Sequence, residues 1–417
     1  MARGDSLAAL RSGSLRRYAF ARLAAVLGAQ MQGVAVGWQL YERTESAYAL
    51  GLVGLIEVIP VVLLALPVGH LVDRLSRRNV AIAAQAGLGL ASLGLTAVSY
   101  FQGPIWAIFG LILAIGVATA FASPSNSAFI PEIVPAADLA NANAWLSSGW
   151  ELSTMGGPAL AGILIAATGG ATTVYALNLV ASATYVAVMF TIPRPPKRPP
   201  PPAEKGALMA GLRFVWNTEL FLSAITLDLF AVLLGGATAL LPIFAKDILH
   251  VGPAGLGWLR AAPAVGAFLM AIVTTRLPPW KHSGRVLLMS VAGFGAATIG
   301  FGLSTSFPLS LFFLFLTGLF DNVSVVIRRT LEQIVTPDAL RGRVSSVTYV
   351  FIGCSNELGA FESGFTAGLF GAPLSVLGGG IGTVLVVALV AWKWRSLARL
   401  GSLEELAAKH AEPHPVA

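Results

Sequence analysis

Eight ionisable residues lie inside apolar stretches of this 417-residue chain: Arg22, Glu57, Glu151, Asp228, Arg260, Asp321, Glu357 and Glu362. In a bilayer each costs roughly 2.5–3.5 kcal/mol at a helix centre, so each is expected to face a cavity or a partner. Six are acids, and acids at depth can do proton chemistry. Asp228 lies about eight residues into its apolar run, roughly 12 Å deep at ~1.5 Å per residue. Glu151 and Glu357 reach a comparable depth, and Glu57 is a further candidate. Desolvation disfavours the charged carboxylate there, so such a group can load a proton from one side and release it to the other. Asp228 has no basic residue within four positions, which makes it the first choice for coupling. The alternative is a structural pair with Arg22 or Arg260.

The remaining polar residues divide by spacing. Glu357 and Glu362 are about 140° apart around a helix at ~3.6 residues per turn, so they cannot both enter one narrow cavity. Asp321 and Arg328 share a helix face and are expected to form a structural pair. Arg22 lies early in its run and can snorkel to the interface. Arg260 can pair with an acid or meet an anionic ligand. Gln32 and Gln39 share a face and could hydrogen-bond a substrate, whereas Trp38 is placed as an interfacial belt residue.

Other chemistries lack their residues. No G-x-x-x-x-G-K-[ST] is present, so the sequence offers no nucleotide-phosphate loop, and neither H-E-x-x-H nor G-x-S-x-G occurs. The single cysteine, Cys354, excludes an internal disulfide and a cysteine metal cluster. The five histidines fall in loops or the C-terminal tail. No cofactor or metal is expected, and the chain is read as a non-enzyme.

The elements that position these residues follow from composition. Apolar residues make up 56% of the chain and charged residues 11%, with mean hydropathy +0.76. A soluble domain carries roughly a quarter charged residues, so a bilayer is the matching solvent. Apolar runs of spanning length (~20 residues) fall at 18–41, 48–69, 79–100, 104–124, 142–168 and 171–192. A second set falls at 221–245, 254–275, 285–305, 307–327, 344–369 and 372–392. The fold class expected is therefore an all-α polytopic membrane protein of twelve spans in two six-helix halves. The run from Tyr18 is too long for a signal-peptide core and is read as an uncleaved first span.

Charge sets the orientation. Under this segmentation only Arg43 and Lys246 of 27 basic residues fall in loops on the far side. The positive-inside rule then places both termini in the cytoplasm. The net charge of +7 is accounted for by those loops, and no nucleic-acid partner is inferred. The expected organisation is a tail (1–17), a first half (18–192), a linker (193–220), a second half (221–395) and a tail (396–417). The linker holds Pro193, Pro195, Pro196 and four further prolines at 199–202, a semi-rigid spacer. Residues 206–217 read as an amphipathic helix on the membrane surface. A weak repeat supports the division: Ile133, Val134 and Leu139 match Ile334, Val335 and Leu340 at one offset.

Two motifs stand out. Between spans 2 and 3 runs Gly69-His70-Leu71-Val72-Asp73-Arg74-Leu75-Ser76-Arg77-Arg78. A glycine suits a tight helix end, and the aspartate and arginines can reach helix termini and carboxylates, which would latch the two halves. In span 5, Gly156-Gly157-Pro158-Ala159-Leu160-Ala161-Gly162 combines small residues with a kink-permitting proline. The first motif resembles the G-x-L-x-D-R-x-G-R-K/R loop of the major facilitator superfamily, with Ser76 where glycine is common. The second resembles the G-P-x-L-x-G stretch of its antiporters, with Ala161 in place of a glycine; a packing notch explains the same residues equally well. Leu241-Pro242-Ile243-Phe244-Ala245 and Gly257-Trp258-Leu259-Arg260-Ala261-Ala262-Pro263 resemble the branch containing enterobactin exporters and related bacterial efflux permeases, a likeness that covers roughly 18–392.

The resemblance implies a monomeric secondary transporter of the bacterial inner membrane. It would export a small molecule in exchange for protons, with two halves rocking about a cavity lined by spans 1, 4, 7 and 10. A siderophore exporter is the alternative: catechol anions would favour Arg22 and Arg260, and amphipathic cations would favour Asp228, Glu151 and Glu357. A receptor or a membrane enzyme is a remoter reading, because neither a sensor domain nor a catalytic constellation is present in the sequence.

Overall fold

The structure is a computed structural model that describes residues 11–193 and 207–411. Among the described residues there are helices and no strands. Ten helical segments are long and apolar enough to cross a membrane, so the chain is a multi-pass membrane protein. The proline-rich linker at 194–206 lies outside the described residues.

Residues Met1–Ala203 and Ala245–Ala261 form one compact unit, and Glu204–Phe244 with Ala262–Ala417 form the other. The first unit contains α1 (Gly13–Thr44), α2 (Ala47–Arg74), α3 (Arg77–Tyr100), α4 (Ile105–Ile133), α5 (Leu139–Thr168) and α6 (Thr172–Thr191). The second contains α7 (Ala207–Asn217) and α8 (Glu219–Leu234). After α9 (Gly252–Thr274), which runs across the unit boundary, it continues with α10 (Ser283–Leu303), α11 (Phe307–Val335), α12 (Arg341–Phe370) and α13 (Ala372–Lys393). Short helices α14 (Arg395–Ala398) and α15 (Leu403–Ala411) follow.

The packing of the first unit recurs in the second. In the first, α1 packs on α5 and α6, α3 on α4 and α6, and α2 on α4. In the second, α8 packs on α12 and α13, and α10 on α11 and α13. The counterpart of α2 on α4 is α9 on α11, where Gly318 sits against the Pro263 backbone. The repeated sequence stretches become the same local structure: a proline, a 3-10 turn at Ala136–Asp138 or Asp338–Leu340, then α5 or α12.

Hydrogen bonds between helices fix the first unit. Gln85, Ser92 and Ser99 on α3 are seven apart, close to two turns, and so form one stripe. Gln85 donates to Ser182 at 2.9 Å. Ser92 and Asn178 both donate to Gln32 Oε1 at 2.8 Å. Gln39 donates to Ser99 at 2.8 Å and accepts from Tyr175 at 2.9 Å. Without water as a competitor, each such bond stabilises the packing by about 0.6 kcal/mol, and by ~1.7 kcal/mol at most. These glutamines are therefore packing residues, which corrects the expectation that Gln32 and Gln39 meet substrate. Trp38 is only 7% exposed, so it belongs to the same interior and not to an interfacial belt.

The seventh apolar run is not one continuous helix. α8 stops at Leu234, and the chain proceeds through a 3-10 turn, a three-residue helix at Leu241–Ile243 and a π-turn at Phe244–Ile248. The Gly235-Gly236 pair carries the break. A Cβ on Gly236 would lie 2.6 Å from both Gly359 O and Ser363 Oγ of α12. Leu240, Leu241 and Phe244 are fully buried, and irregular backbone at membrane depth is tolerated where protein surrounds it.

Candidate functional site

Polar chemistry concentrates in one place in each unit. In the first, a cavity of about 510 Å³ lies between α1, α5 and the end of α4. Of its described lining residues only Arg22 is charged; Phe20, Trp145 and Trp150 supply rings, and Asn143 and Ser147 supply hydrogen-bonding groups. Arg22 forms no ion pair among the described residues. Behind it lies a buried polar cluster: Tyr18 and Tyr185 both donate to Asn126 Oδ1, at 3.0 and 2.6 Å. A guanidinium that lines one cavity with two indole rings favours an anionic or electron-rich planar ligand through charge, hydrogen bonding and stacking.

In the second unit, Asp228 of α8 forms an ion pair with Arg328 of α11, and Arg328 Nη2 also lies 4.0 Å from Asp321 Oδ1. The Asp228 and Arg328 side chains are 10% and 12% exposed, whereas that of Asp321 is 47% exposed. Two carboxylates thus share one guanidinium, which also donates through Nε to Ser324 at 3.1 Å. This corrects the picture of Asp228 as a carboxylate without a partner. Its partner within the unit is Arg328, and the Asp321–Arg328 pair is one edge of a three-residue cluster.

The other expected residues are dispersed. Glu151 is exposed and does not line the cavity, although its neighbours Trp150 and Leu152 do. Glu57 of α2 and Glu357 of α12 are half-buried. A Cβ on Gly33 of α1 would lie 3.9 Å from Arg260 Nη2, which places that guanidinium against the first helix.

The basic loop divides by function. The surroundings of Gly69 and the side chains of Asp73 and Arg74 lie outside the described residues. Arg77 pairs with Glu132 at 3.4 Å and donates to Ala128 O at 3.1 Å, both on α4. Arg78, 3% exposed, donates twice to Met189 O, at 3.0 and 2.7 Å, with Phe190 beneath its guanidinium. That carbonyl sits in the last turn of α6, where it also accepts the capping N–H of Ile192 at 3.4 Å and the helix dipole attracts a cation. Both arginines therefore brace helices of their own unit.

The span 5 glycines are close-packing positions. A Cβ on Gly157 would lie 2.7 Å from Gln30 Cβ, and one on Gly162 would lie 2.9 Å from Gly257 Cα. Pro158 is buried beside them, and its carbonyl would be 2.6 Å from a Cβ on Gly257.

Three features escaped the sequence reading. Trp145, Trp150 and Asn143 line the cavity, but single aromatic and polar residues along a span carry no periodic signal. Sequence spacing links Arg328 only to its near neighbour Asp321, because Asp228 is remote in sequence. A polar clamp also ties residues 245–261 to α1: Tyr41 donates to Asp247, and Lys246 pairs with Glu45 at 3.0 Å. Arg43, in the last turn of α1, donates to Gly103 O at 2.7 Å.

Comparisons with known proteins agree on the class. A family model described as transmembrane secretion effector matches residues 4–417. The enterobactin exporter EntS of Citrobacter koseri is 27% identical over 381 residues, covering 90% of this chain and 91% of that protein. EntS of Escherichia coli O1:K1 / APEC is 26% identical over the same shares. Among solved structures, a bacterial homologue of the human lysosomal transporter Spinster superposes with TM-score 0.71 at 14% identity, covering 97% of this chain and 99% of that one. The nucleoside transporter NupG superposes with TM-score 0.69 at 13% identity, covering 93% and 100%. At these identities the structural likeness speaks to the fold.

Proposed function

The chain belongs to the transmembrane secretion effector family of major facilitator superfamily transporters, and from that premise we propose that it exports a small molecule by proton antiport. The observation that carries the reading is the cavity of about 510 Å³ beside Arg22, within the ~300–1,000 Å³ typical of small-ligand sites. The Asp228–Arg328–Asp321 cluster supplies the coupling. A proton on either acid releases part of the hold on Arg328, and loss of that proton restores it. Electrostatic attraction in a low-dielectric site makes the two states distinct enough to bias a conformational equilibrium. Export then follows alternating access.

The proposal includes twelve spans. α5 and α12 have 30 residues each, long enough to cross a bilayer of ~20 residues, and they occupy matching places in the repeat. Their polar residues explain why they are not counted with the ten apolar helices. Both termini are assigned to the cytoplasm of a bacterium and the transporter to its inner membrane, acting as a monomer.

A second reading, export of an enterobactin-like siderophore, is favoured by Arg22 as the charged residue of the described cavity lining. The exporters of Citrobacter and Escherichia carry that name at 26–27% identity. Purified protein in liposomes, screened with anionic, neutral and cationic amphiphiles for substrate-driven proton movement, tests both readings. Proton flux with anionic catechols alone supports the second. No flux with any compound contradicts the proton-antiport proposal.

A further inference from the structure

α7 presents two faces of opposite character. Gly211 and Val215, four residues apart, are buried, and Val215 joins the second unit's core at 3% exposure. Met209, Arg213 and Trp216 occupy the opposite stripe at spacings of four and three, and all three are exposed, Met209 to 63% and Trp216 to 70%. Arg213 has no ion-pair partner among the described residues. Water would leave a methionine and an indole solvated on one stripe. The hydrocarbon core would penalise the Arg213 charge. The headgroup boundary suits all three: apolar chains point inward, the indole sits at the interface and the guanidinium lies among phosphates.

The placement of α7 in its unit agrees. A Cβ on Gly211 would lie 2.8 Å from Arg343 O, in the first turn of α12. α7 therefore rides on the end of α12 and directly precedes α8. The preceding linker adds Arg194, Lys197, Arg198 and Lys205 against one acid, Glu204. Clustered basic residues beside a span are attracted to anionic lipid.

We propose that the Met209–Arg213–Trp216 face is a docking surface for an anionic phospholipid, with Arg213 on the headgroup phosphate. Through Gly211 the bound lipid steadies the first turn of α12. Lipid composition thereby acts on the eleventh span from outside the transport site. This deepens the assignment of α7 as an interfacial helix and does not depend on the transported substrate.

The test uses full-length protein in nanodiscs of phosphatidylcholine, with or without phosphatidylglycerol. A spin label is attached at Met209→Cys in a Cys354→Ala background. The label should be reached by oxygen more readily than by a water-soluble nickel chelate. After detergent extraction, mass spectrometry should find phosphatidylglycerol retained over phosphatidylcholine. Arg213→Gln should cut that retention about five-fold, as expected for one basic charge near a membrane surface, and Arg213→Lys should keep most of it. Hydrogen exchange at 341–347 should be slowed by phosphatidylglycerol in the wild type and not in Arg213→Gln. Equal retention of the two lipids overturns the proposal. So does a label in the aqueous phase, or a label shielded from both reagents in an oligomer, which would mean that protein covers this face.

Discussion

Asp228 and Arg328 form an ion pair between α8 and α11, with each side chain about nine-tenths buried. A pair at this depth is sensitive to the loss of one member, since the survivor remains as an uncompensated charge, at ~3–5 kcal/mol. Asp321 is 4.0 Å from the same guanidinium and moderates that loss. Asp228→Asn should therefore destabilise the protein by about 3 kcal/mol and remove proton-driven export. Arg328→Gln in the same chain should recover part of the stability and none of the coupling. Thermal unfolding of the two single variants and the double variant checks this. Strictly additive losses would mean that the pair does not act as a unit.

Arg78 and Arg77 are adjacent in sequence and should behave differently. Arg78 is buried and holds Met189 O with two hydrogen bonds. Arg78→Ala should cost about 2–3 kcal/mol, as for the loss of buried hydrogen bonds from a charged donor. Arg77, more open and paired with Glu132 at 3.4 Å, should cost about 1 kcal/mol or less. Size-exclusion profiles after stepwise heating would rank them. The reverse order would contradict the bracing role assigned to Arg78.

The span 5 glycines offer a comparison within one motif. Nothing lies within 4 Å of a Cβ on Gly156, whereas one on Gly157 would meet Gln30 Cβ at 2.7 Å. Gly156→Ala should be neutral or slightly stabilising, because alanine favours helix by up to ~1 kcal/mol. Gly157→Ala should lose about 1–3 kcal/mol through overpacking. Equal damage from both would mean that the stretch serves flexibility and not close packing.

Much of the architecture was legible because hydrophobic runs are local signals. The end of α1 at Thr44, the start of α3 at Arg77 and the helix over 207–217 all fall within three residues of their sequence-based positions. The break after α8 was not, since Gly235-Gly236 reads as two more small residues in an apolar run until α12 fills the space beside them. The site was legible only in part. Ionisable residues inside spans identified Arg22, Asp228 and Asp321. Which of them pair depends on helix–helix contacts across most of a unit, and no spacing rule reaches that far. Gln32 shows the opposite limit: a polar residue in a span is equally suited to a ligand or to a neighbouring helix, and here Ser92 and Asn178 take it.

Transport by wild-type and Arg22→Gln protein in liposomes tests the central claim most directly. With an inward-directed proton gradient matching the cell, a planar anionic compound found by the proton-flux screen is followed as it moves uphill. The wild type should concentrate the compound against its gradient, and collapsing the pH difference should stop it. Arg22→Gln should lower the rate at least ten-fold, the loss of a charge-assisted contact of about 1.4 kcal/mol or more, with protein abundance and fold unchanged. Uphill transport at the wild-type rate in Arg22→Gln, or movement indifferent to the proton gradient, would contradict it.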